Sequence, residues 1–127
     1  MKYLTIVLLV ILLTMIGREL YLKIMAKKSA KMVSQDAFKE QFRTGQLIDL
    51  RESDSYRASH ILGARNLPYS TFKQSYVGLR KDRPVLLYDQ SKTISVRIAN
   101  FLRKKGFTDI YILKEGFDGW TGKVKHK

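Results

Sequence analysis

The sequence contains no cysteine, and this absence excludes several kinds of chemistry. Without thiols the chain cannot form disulfide bonds, thiolate metal sites or a thiol nucleophile of its own. Histidine is scarce as well, since the chain has only His60 and His126, and we therefore expect neither a metal site nor a cofactor. A chain without thiols leaves its redox compartment open.

Acidic residues are also few. The 11 Asp and Glu residues stand against 24 Lys and Arg residues, which gives a formal net charge of +13 at pH 7. Such an excess favours binding to anionic surfaces, either nucleic acid or phospholipid headgroups. The apolar fraction of 45% is ordinary for a globular protein, and 127 residues have room for one small domain and an appendage.

The long apolar run lies at the N-terminus. Residues 3–16 are apolar apart from Thr5 and Thr14, and apolar residues continue beyond Arg18, whose long side chain can reach the membrane interface. Because about 20 residues span a bilayer, we expect a transmembrane helix over residues 4–22. No cleavage site of small residues directly follows the apolar core, so an uncleaved anchor is favoured over a cleaved signal peptide of a secreted domain. A buried core helix is disfavoured because the run has no polar face.

Basic residues flank this run unequally. Lys2 precedes it, whereas Arg18 and several lysines lie at or beyond its end, and the positive-inside rule then places the C-terminal domain in the cytoplasm. We expect residues 1–31 to form the anchor and a basic linker on anionic headgroups, through Lys23, Lys27, Lys28 and Lys31. Nucleic-acid binding is not expected.

The rest of the chain alternates strand and helix patterns. Short apolar runs predict strands over residues 47–50, 85–88 and 110–113. Helices are predicted from Ser34 to Gly45, over residues 53–59, and between the loop that follows residue 88 and Gly106, with Val96, Ala99 and Leu102 on one stripe, whereas residues 69–79 are ambiguous. We therefore expect an α/β domain over residues 32–122, with a parallel sheet flanked by helices, and a frayed basic tail over residues 123–127.

The loop after the central strand is the candidate site. In an open α/β sheet, ligands bind where a strand ends and the next helix begins, because the helix N-terminus offers free N–H groups. Here that loop begins with an acidic residue and comprises Asp89, Gln90, Ser91, Lys92, Thr93, Ile94 and Ser95.

Several separate motifs together resemble the rhodanese domain family. In order they are DLRE at 49–52, Tyr56, HILGA at 60–64, LP at 67–68, the strand and loop at 85–95, and EGFDGW at 115–120. The resemblance covers residues 33–120 and implies an α/β sheet with a ligand loop after a central strand. It implies sulfurtransferase chemistry, in which a cysteine carries a persulfide and the loop holds the anionic donor.

This sequence departs from the family pattern at the points that matter for that chemistry. Asp89 stands at the position of the cysteine, Lys92 where glycine is common, and Ile94 where arginine is common, whereas Ser91 and Ser95 match. A carboxylate cannot form a persulfide and repels an anionic donor. We therefore expect no sulfurtransferase activity and no activity of the related cysteine-dependent phosphatases.

Asp89 has three interpretations. It can cap the following helix by accepting N–H bonds from residues 91–95, or it can belong to a loop that binds a partner. As a third, weaker interpretation it is an aspartyl nucleophile, with Thr93 four residues later, although the second acidic residue of such sites is missing.

Other residues are expected to support this loop. The sequence predicts that Asp49 and Arg51 form a polar pair beneath it, with an Arg51 side chain that faces the pocket as the alternative. It also predicts that His60 is bonded to nearby backbone, and it disfavours a general-base role because no reactive partner is evident. We expect a membrane-anchored, rhodanese-like binding module. The alternatives are a sulfur-transfer component that uses a partner's cysteine, and a binder of membrane surfaces or polyanions driven by charge.

Overall fold

A computed structural model describes residues 2–126, except for the side chains of residues 22–29. Helix α1 (Lys2–Ser29) is followed by β1 (Lys31–Val33), α2 (Gln35–Glu40), β2 (Gln46–Asp49), α3 (Ser53–Ala58), β3 (His60–Ile61) and β4 (Arg65–Asn66). Then come α4 (Phe72–Ser75), β5 (Val85–Tyr88), α5 (Thr93–Lys104), β6 (Ile110–Leu113) and β7 (Val124–Lys125). Short 3₁₀ turns flank α4 at Tyr69–Thr71 and Tyr76–Gly78, and another lies at Phe117–Gly119.

Five strands form a parallel sheet in the order β1-β6-β5-β2-β4, and every pairing between them is parallel. The predicted α/β class, with a parallel sheet flanked by helices, is confirmed. Because all the strands run the same way, their carboxyl ends lie at one edge of the sheet and their amino ends at the other.

The core lies on both faces of this sheet, and the side chains of β5 show how it is divided. Val85 and Leu87 pack on one face with α5, through Ile98 and Leu102, in the larger apolar cluster. Leu86 and Tyr88 pack on the opposite face with residues of α2 and β6. Successive strand residues point to opposite faces, so a strand that is apolar at every position must be covered on both sides.

Helix α1 is longer than expected. The sequence predicted a spanning helix over residues 4–22 and then a linker, but residues 23–29 continue the same helix. Most of residues 23–29 are Lys, Met or Ala, which are good helix formers, so the helix continues through the basic segment. The segment Lys2–Tyr21 has a mean hydropathy of 2.0 and is not buried by the domain, and it is long and apolar enough to cross a membrane or to act as a signal sequence.

The predicted headgroup contacts of Lys23, Lys27 and Lys28 lie outside the described side chains. Lys31 is the first residue of β1, and its Nζ lies 5.1 Å from the centre of the Tyr111 ring on the neighbouring strand. This lysine therefore belongs to the sheet as well as to the basic segment.

Two further expectations were wrong. The helix that begins after Ser34 ends at Glu40 rather than near Gly45, because residues 41–44 form turns. Ser34 is of a residue type that often caps helices, but here its side chain makes no capping hydrogen bond. The tail was expected to be frayed, but its residues Val124 and Lys125 form β7, which pairs antiparallel with β3. Its pairing supplies the hydrogen bonds that the basic sequence gave no reason to expect. The ambiguous residues 69–79 form α4 and its flanking turns.

Candidate functional site

The predicted loop residues lie at the carboxyl edge of the sheet, where β2 and β5 end side by side. Asp49 is paired with Tyr88 in adjacent parallel strands, so the residues that follow them meet at the same place. Asp89 follows β5 directly, and Arg51 lies just beyond β2. The structure thus brings together the loop and the pair predicted to support it.

The Asp89 carboxylate is turned inward and caps the start of α5. One oxygen, Oδ2, accepts the backbone N–H of Ile94 at 3.2 Å. The other, Oδ1, accepts the backbone N–H of Ser95 at 3.3 Å and its hydroxyl at 2.6 Å. Asp89 is 3% exposed. Two of the N–H groups that could hold an external anion at the start of α5, those of Ile94 and Ser95, are therefore already bonded to a carboxylate of the chain itself.

Residues 116–118 also form hydrogen bonds with the loop, and the sequence did not predict this contact. The backbone N–H groups of Phe117 and Asp118 donate to the carbonyls of Asp89 and Gln90 at 2.9 and 3.1 Å. The Gln90 side-chain amide donates to the Asp118 carboxylate. The loop is consequently fixed on two sides.

Gly116 is what permits this close approach. Its φ of +64° lies in the region that favours glycine, and a Cβ there would lie 2.0 Å from the carbonyl oxygen of Ser91. The sequence signal was present in the EGFDGW motif, but nothing in a single sequence states which loop the motif contacts.

Asp49 and Arg51 form the predicted polar pair. Arg51 Nη2 donates to Asp49 Oδ2 at 2.8 Å, and the Arg51 backbone N–H donates to Asp49 Oδ1 at 2.8 Å. Their side chains are 8% and 0% exposed. The guanidinium also donates to the Ser59 carbonyl and lies 4.0 Å from the centre of the Phe117 ring. Most of the Arg51 guanidinium is therefore bonded to residues that support the loop. Only its Nη1 approaches the loop itself, 3.4 Å from Gln90 Oε1.

His60 is bonded to nearby backbone and its described contacts lie away from the loop. Its Nδ1 lies 2.7 Å from the carbonyl oxygen of Tyr56, and the two rings stack with centroids 3.8 Å apart. His60 belongs to β3, which pairs with β7. Its contacts stabilise the connection between α3 and β3.

Tyr88 is a site residue that sequence reasoning missed. It is completely buried beneath Phe117, and its hydroxyl accepts the backbone N–H of Ile61 at 3.1 Å. Burial, together with the nearby Asp49 carboxylate, raises the pKa of the Tyr88 hydroxyl far above its ordinary value. The apolar strand pattern marked this tyrosine as core, but its hydrogen bond joins the loop's strand to β3.

The cavity beside Asp89 is small, at about 210 Å³. Drug-sized ligands usually occupy at least about 300 Å³, so this cavity is too small to enclose a ligand of that size. Its walls are Leu50, Arg51, Glu52, Tyr69, Asp89, Gln90 and Ile94. By contrast, residues 90–93 are exposed. The arrangement is suited to surface contact through the outer side of the loop.

Removing the Asp89 carboxylate should destabilise the fold. We expect Asp89→Ala to lower the free energy of unfolding by about 1–3 kcal/mol, because buried N–H and hydroxyl donors lose their acceptor. Urea unfolding of the full chain in detergent micelles, followed by the fluorescence of Trp120, measures this. The control is Asp118→Ala, an exposed carboxylate beside the same loop, for which we expect at most about 0.5 kcal/mol. Equal effects of the two variants would contradict the capping role.

The buried Tyr88 hydroxyl should make the fold sensitive to alkali. Its pKa is raised in the folded state, so its contribution is complete below the unfolded pKa of about 10 and falls as the pH rises above it. We expect Tyr88→Phe to reduce the alkaline loss of stability by up to about 1.4 kcal/mol per pH unit. The same variant should cost about 1–3 kcal/mol at neutral pH, since the Ile61 N–H loses its acceptor.

Unfolding measured between pH 8 and 11 tests this expectation. Tyr69→Phe, at an exposed tyrosine, is the control and should leave the pH dependence unchanged. If both variants gave the wild-type slope above pH 10, the inferred protonation of buried Tyr88 would be wrong.

Comparison with known proteins agrees with this geometry. The family model for the rhodanese-like domain matches residues 34–123. An uncharacterized protein, YqhL of Bacillus subtilis, is 47% identical over 97 residues, which cover 76% of this chain and 77% of that protein. The thiosulfate sulfurtransferase GlpE of Tolumonas auensis is 34% identical over 74 residues, covering 58% of this chain and 70% of that protein.

Solved structures show the same fold. A rhodanese-related protein from Thermoplasma volcanium superposes with a TM-score of 0.70 at 18% identity, covering 76% of this chain and 99% of that one. A thiosulfate sulfurtransferase from Pseudomonas aeruginosa gives a TM-score of 0.67 at 26% identity, covering 76% of this chain but 20% of that one. The sequence motifs, the parallel sheet and the loop after β5 thus lead to one conclusion: the chain belongs to the rhodanese-like family.

Proposed function

We propose that the chain is a membrane-anchored rhodanese-like module that binds a protein partner through the 89–95 loop and does not itself transfer sulfur. The observation that carries this proposal is the Asp89 carboxylate, which is bonded to the amides of Ile94 and Ser95. An anion supplied by the chain itself fills the place where a donor would bind.

The chemistry of the loop supports the loss of turnover. Sulfur transfer from thiosulfate requires a nucleophile that takes the outer sulfur while sulfite leaves, and the chain has no cysteine to do so. Ile94 offers no charge to a donor, and Arg51 directs its guanidinium to Asp49 and the Ser59 carbonyl. Lys92 is exposed but supplies no nucleophile for this reaction.

The outer side of the loop supports a binding role. Residues 90–93 are exposed, whereas the backbone behind them is fixed by the Phe117 and Asp118 amides. A surface that is already ordered loses little conformational entropy on binding. The loop therefore presents the exposed residues Ser91, Lys92 and Thr93 next to a backbone that is held at Asp89 and Gln90.

The membrane part of the proposal rests on α1. Twenty residues of helix rise about 30 Å, which matches the hydrocarbon thickness of a bilayer. Basic residues on the C-terminal side favour a domain in the cytoplasm. In this arrangement Lys23, Lys27 and Lys28 lie next to anionic headgroups. Cleavage of α1 as a signal sequence would instead release the domain.

One alternative is a sulfur-transfer component that relies on a partner's cysteine. The likeness to proteins named thiosulfate sulfurtransferases favours it, but the inward Asp89 carboxylate weakens it, since the anion position is filled. A general binder of anionic surfaces is the other alternative, and binding that disappears uniformly with salt would indicate it.

Binding through the loop can be tested by photo-crosslinking in native membranes. We expect a probe at Lys92 to capture one protein that a probe at Lys73, an equally exposed lysine on α4, does not capture. The purified captured protein should bind the wild-type chain at least about tenfold more tightly than Lys92→Glu, because a charge reversal in a docking surface places like or unpaired charges in contact. The same proteins captured from both positions would contradict a specific role of the loop.

Catalysis is tested separately. With thiosulfate as donor and cyanide as acceptor, we expect the purified full chain to give no turnover above the uncatalysed background. Asp89→Cys should acquire a persulfide that mass spectrometry detects, since it restores the nucleophile, whereas Ser55→Cys on α3 should acquire much less. Turnover by the wild-type chain alone would overturn the proposal of a non-catalytic module.

A further inference from the structure

The two edges of the sheet have different positions relative to α1. Only Ala30 separates α1 from β1, so α1 meets the sheet at the amino end of that strand. The strands β6, β5 and β2 run parallel to β1, and their amino ends share this edge. The 89–95 loop follows the carboxyl end of β5 and therefore lies at the opposite edge.

Basic residues are concentrated at the edge near α1. The segments that enter β1, β2, β5 and β6 meet there, together with the C-terminal end of α5, which runs back from the loop. We call the residues 31, 41–45, 79–84 and 103–109 the basic end. Its charged residues are Lys31, Arg43, Arg80, Lys81, Arg83, Arg103, Lys104 and Lys105, with Asp82 and Asp109 as the acidic ones.

Most of these positive charges have no acidic partner. Among the residues whose side chains are described, the ion pairs are Arg51–Asp49 and Arg80–Asp82, and only the second belongs to the basic end. Closely spaced cations without counter-charges repel each other, and an anionic surface relieves that repulsion. The domain therefore presents a positive face towards the side from which α1 arrives.

A cavity at the basic end suits a lipid headgroup. It measures about 360 Å³, and its walls are Tyr76, Val77, Leu79, Lys81, Lys105 and Phe107. The two ammonium groups lie over aromatic rings, with Lys81 Nζ 5.7 Å from the centre of Phe107 and Lys105 Nζ 5.6 Å from that of Phe101. Two lysines beside an apolar wall fit a phosphate that is attached to a glycerol and acyl chains.

Val77 adds an apolar contact at the rim of this cavity. It is 76% exposed, although it lies next to the buried core residue Leu79 and the half-buried Tyr76. An exposed valine in the same cavity wall as Lys81 and Lys105 suits the boundary between headgroups and acyl chains, where apolar side chains enter and cations bind phosphate.

The length of α1 brings this end to the membrane surface. If Lys2–Tyr21 spans the hydrocarbon, residues 22–29 add about 12 Å of helix before the sheet begins. The headgroup layer fills roughly half of that distance, and electrostatic attraction extends about 8 Å further at physiological salt. The lysines of the basic end then lie within reach of the headgroups.

We propose that the basic end docks on anionic phospholipids of the membrane that α1 enters, with a headgroup phosphate held between Lys81 and Lys105. This docking rests on the membrane anchoring proposed above. It fixes the domain on the surface and directs the 89–95 loop away from the lipid, so a partner at the loop approaches from the aqueous side.

Site-specific labels test the docking directly, because the chain has no cysteine of its own. The full chain with Val77→Cys, or with Asp54→Cys near the carboxyl edge as control, is labelled with a fluorophore. Each is placed in nanodiscs of phosphatidylcholine alone or with phosphatidylglycerol, with spin-labelled headgroups as quenchers. We expect quenching at position 77 only, and only in the anionic discs.

Matched charge variants assign the effect to the cavity. In the Val77→Cys chain, we expect Lys81→Gln with Lys105→Gln to lower the ratio of docked to undocked molecules by roughly 25-fold, since each lysine near an anionic surface contributes about fivefold. Lys39→Gln with Lys123→Gln removes the same charge at a different cavity and should change the ratio little.

Failure of the docking and failure of the membrane anchor give different experimental results. Quenching at neither position, equal quenching at both, or equal effects of the two lysine pairs would overturn the docking. Release of the wild-type chain from native membranes by alkaline carbonate would overturn the anchor and the docking with it. Retention of the chain without quenching at position 77 would overturn the docking alone.

Discussion

The hydrogen bonds between the Asp89 carboxylate and the start of α5 are the interaction on which the site depends. They join the end of the central strand to Ile94 and Ser95, and Ser95 is itself completely buried at the start of the helix. A carboxylate in this place also opposes the positive end of the helix dipole, which adds to the stability of the cap. The loop is therefore closed by its own sequence and needs no bound anion to keep its shape.

A second constraint is the common direction of the strands. Because the sheet is parallel, the helices must return from the carboxyl edge to the amino edge, and α5 carries its basic C-terminal residues away from the loop and towards α1. The edge with the loop contains the buried pair Asp49–Arg51 and the Asp89 cap. The two edges thus differ in charge and in distance from the N-terminal helix, and one small sheet can contact two different surroundings.

The sequence predicted those features that depend on short patterns. The strands β5 and β6 were predicted with their observed bounds, because runs such as 85–88 are apolar at every position and are bounded by charged or turn residues. The inward cap of Asp89 was one of three interpretations, since residue type and position before a helix suffice to suggest it. The pair of Asp49 and Arg51 was predicted from their position at the end of a strand and just beyond it.

Other features depend on contacts between distant segments, which no local pattern contains. The strand β7 has only two residues and lies in a lysine-rich tail. It is too short to show the alternation of apolar and polar residues that marks a strand, so its pairing with His60 and Ile61 could not be predicted. The hydrogen bonds from residues 116–118 to the loop require Gly116 to lie close to the Ser91 carbonyl. Only the folded chain brings these two residues together. The charges of residues 23–29 resemble those of a linker, but lysine is a good helix former, and so α1 continues through them.

The Asp89 carboxylate also affects which kinds of ligand the loop can bind. An external anion at the same amides would have to displace a ligand that is covalently attached and already in place, and it would lie beside a like charge. Two unit charges about 4 Å apart repel by about 4 kcal/mol at an effective dielectric constant of 20, which is roughly a thousandfold in affinity. Small anions are therefore poor ligands for this loop. In the function proposed above, affinity comes instead from exposed groups on the outer side of the loop, such as Lys92, which a protein surface can match.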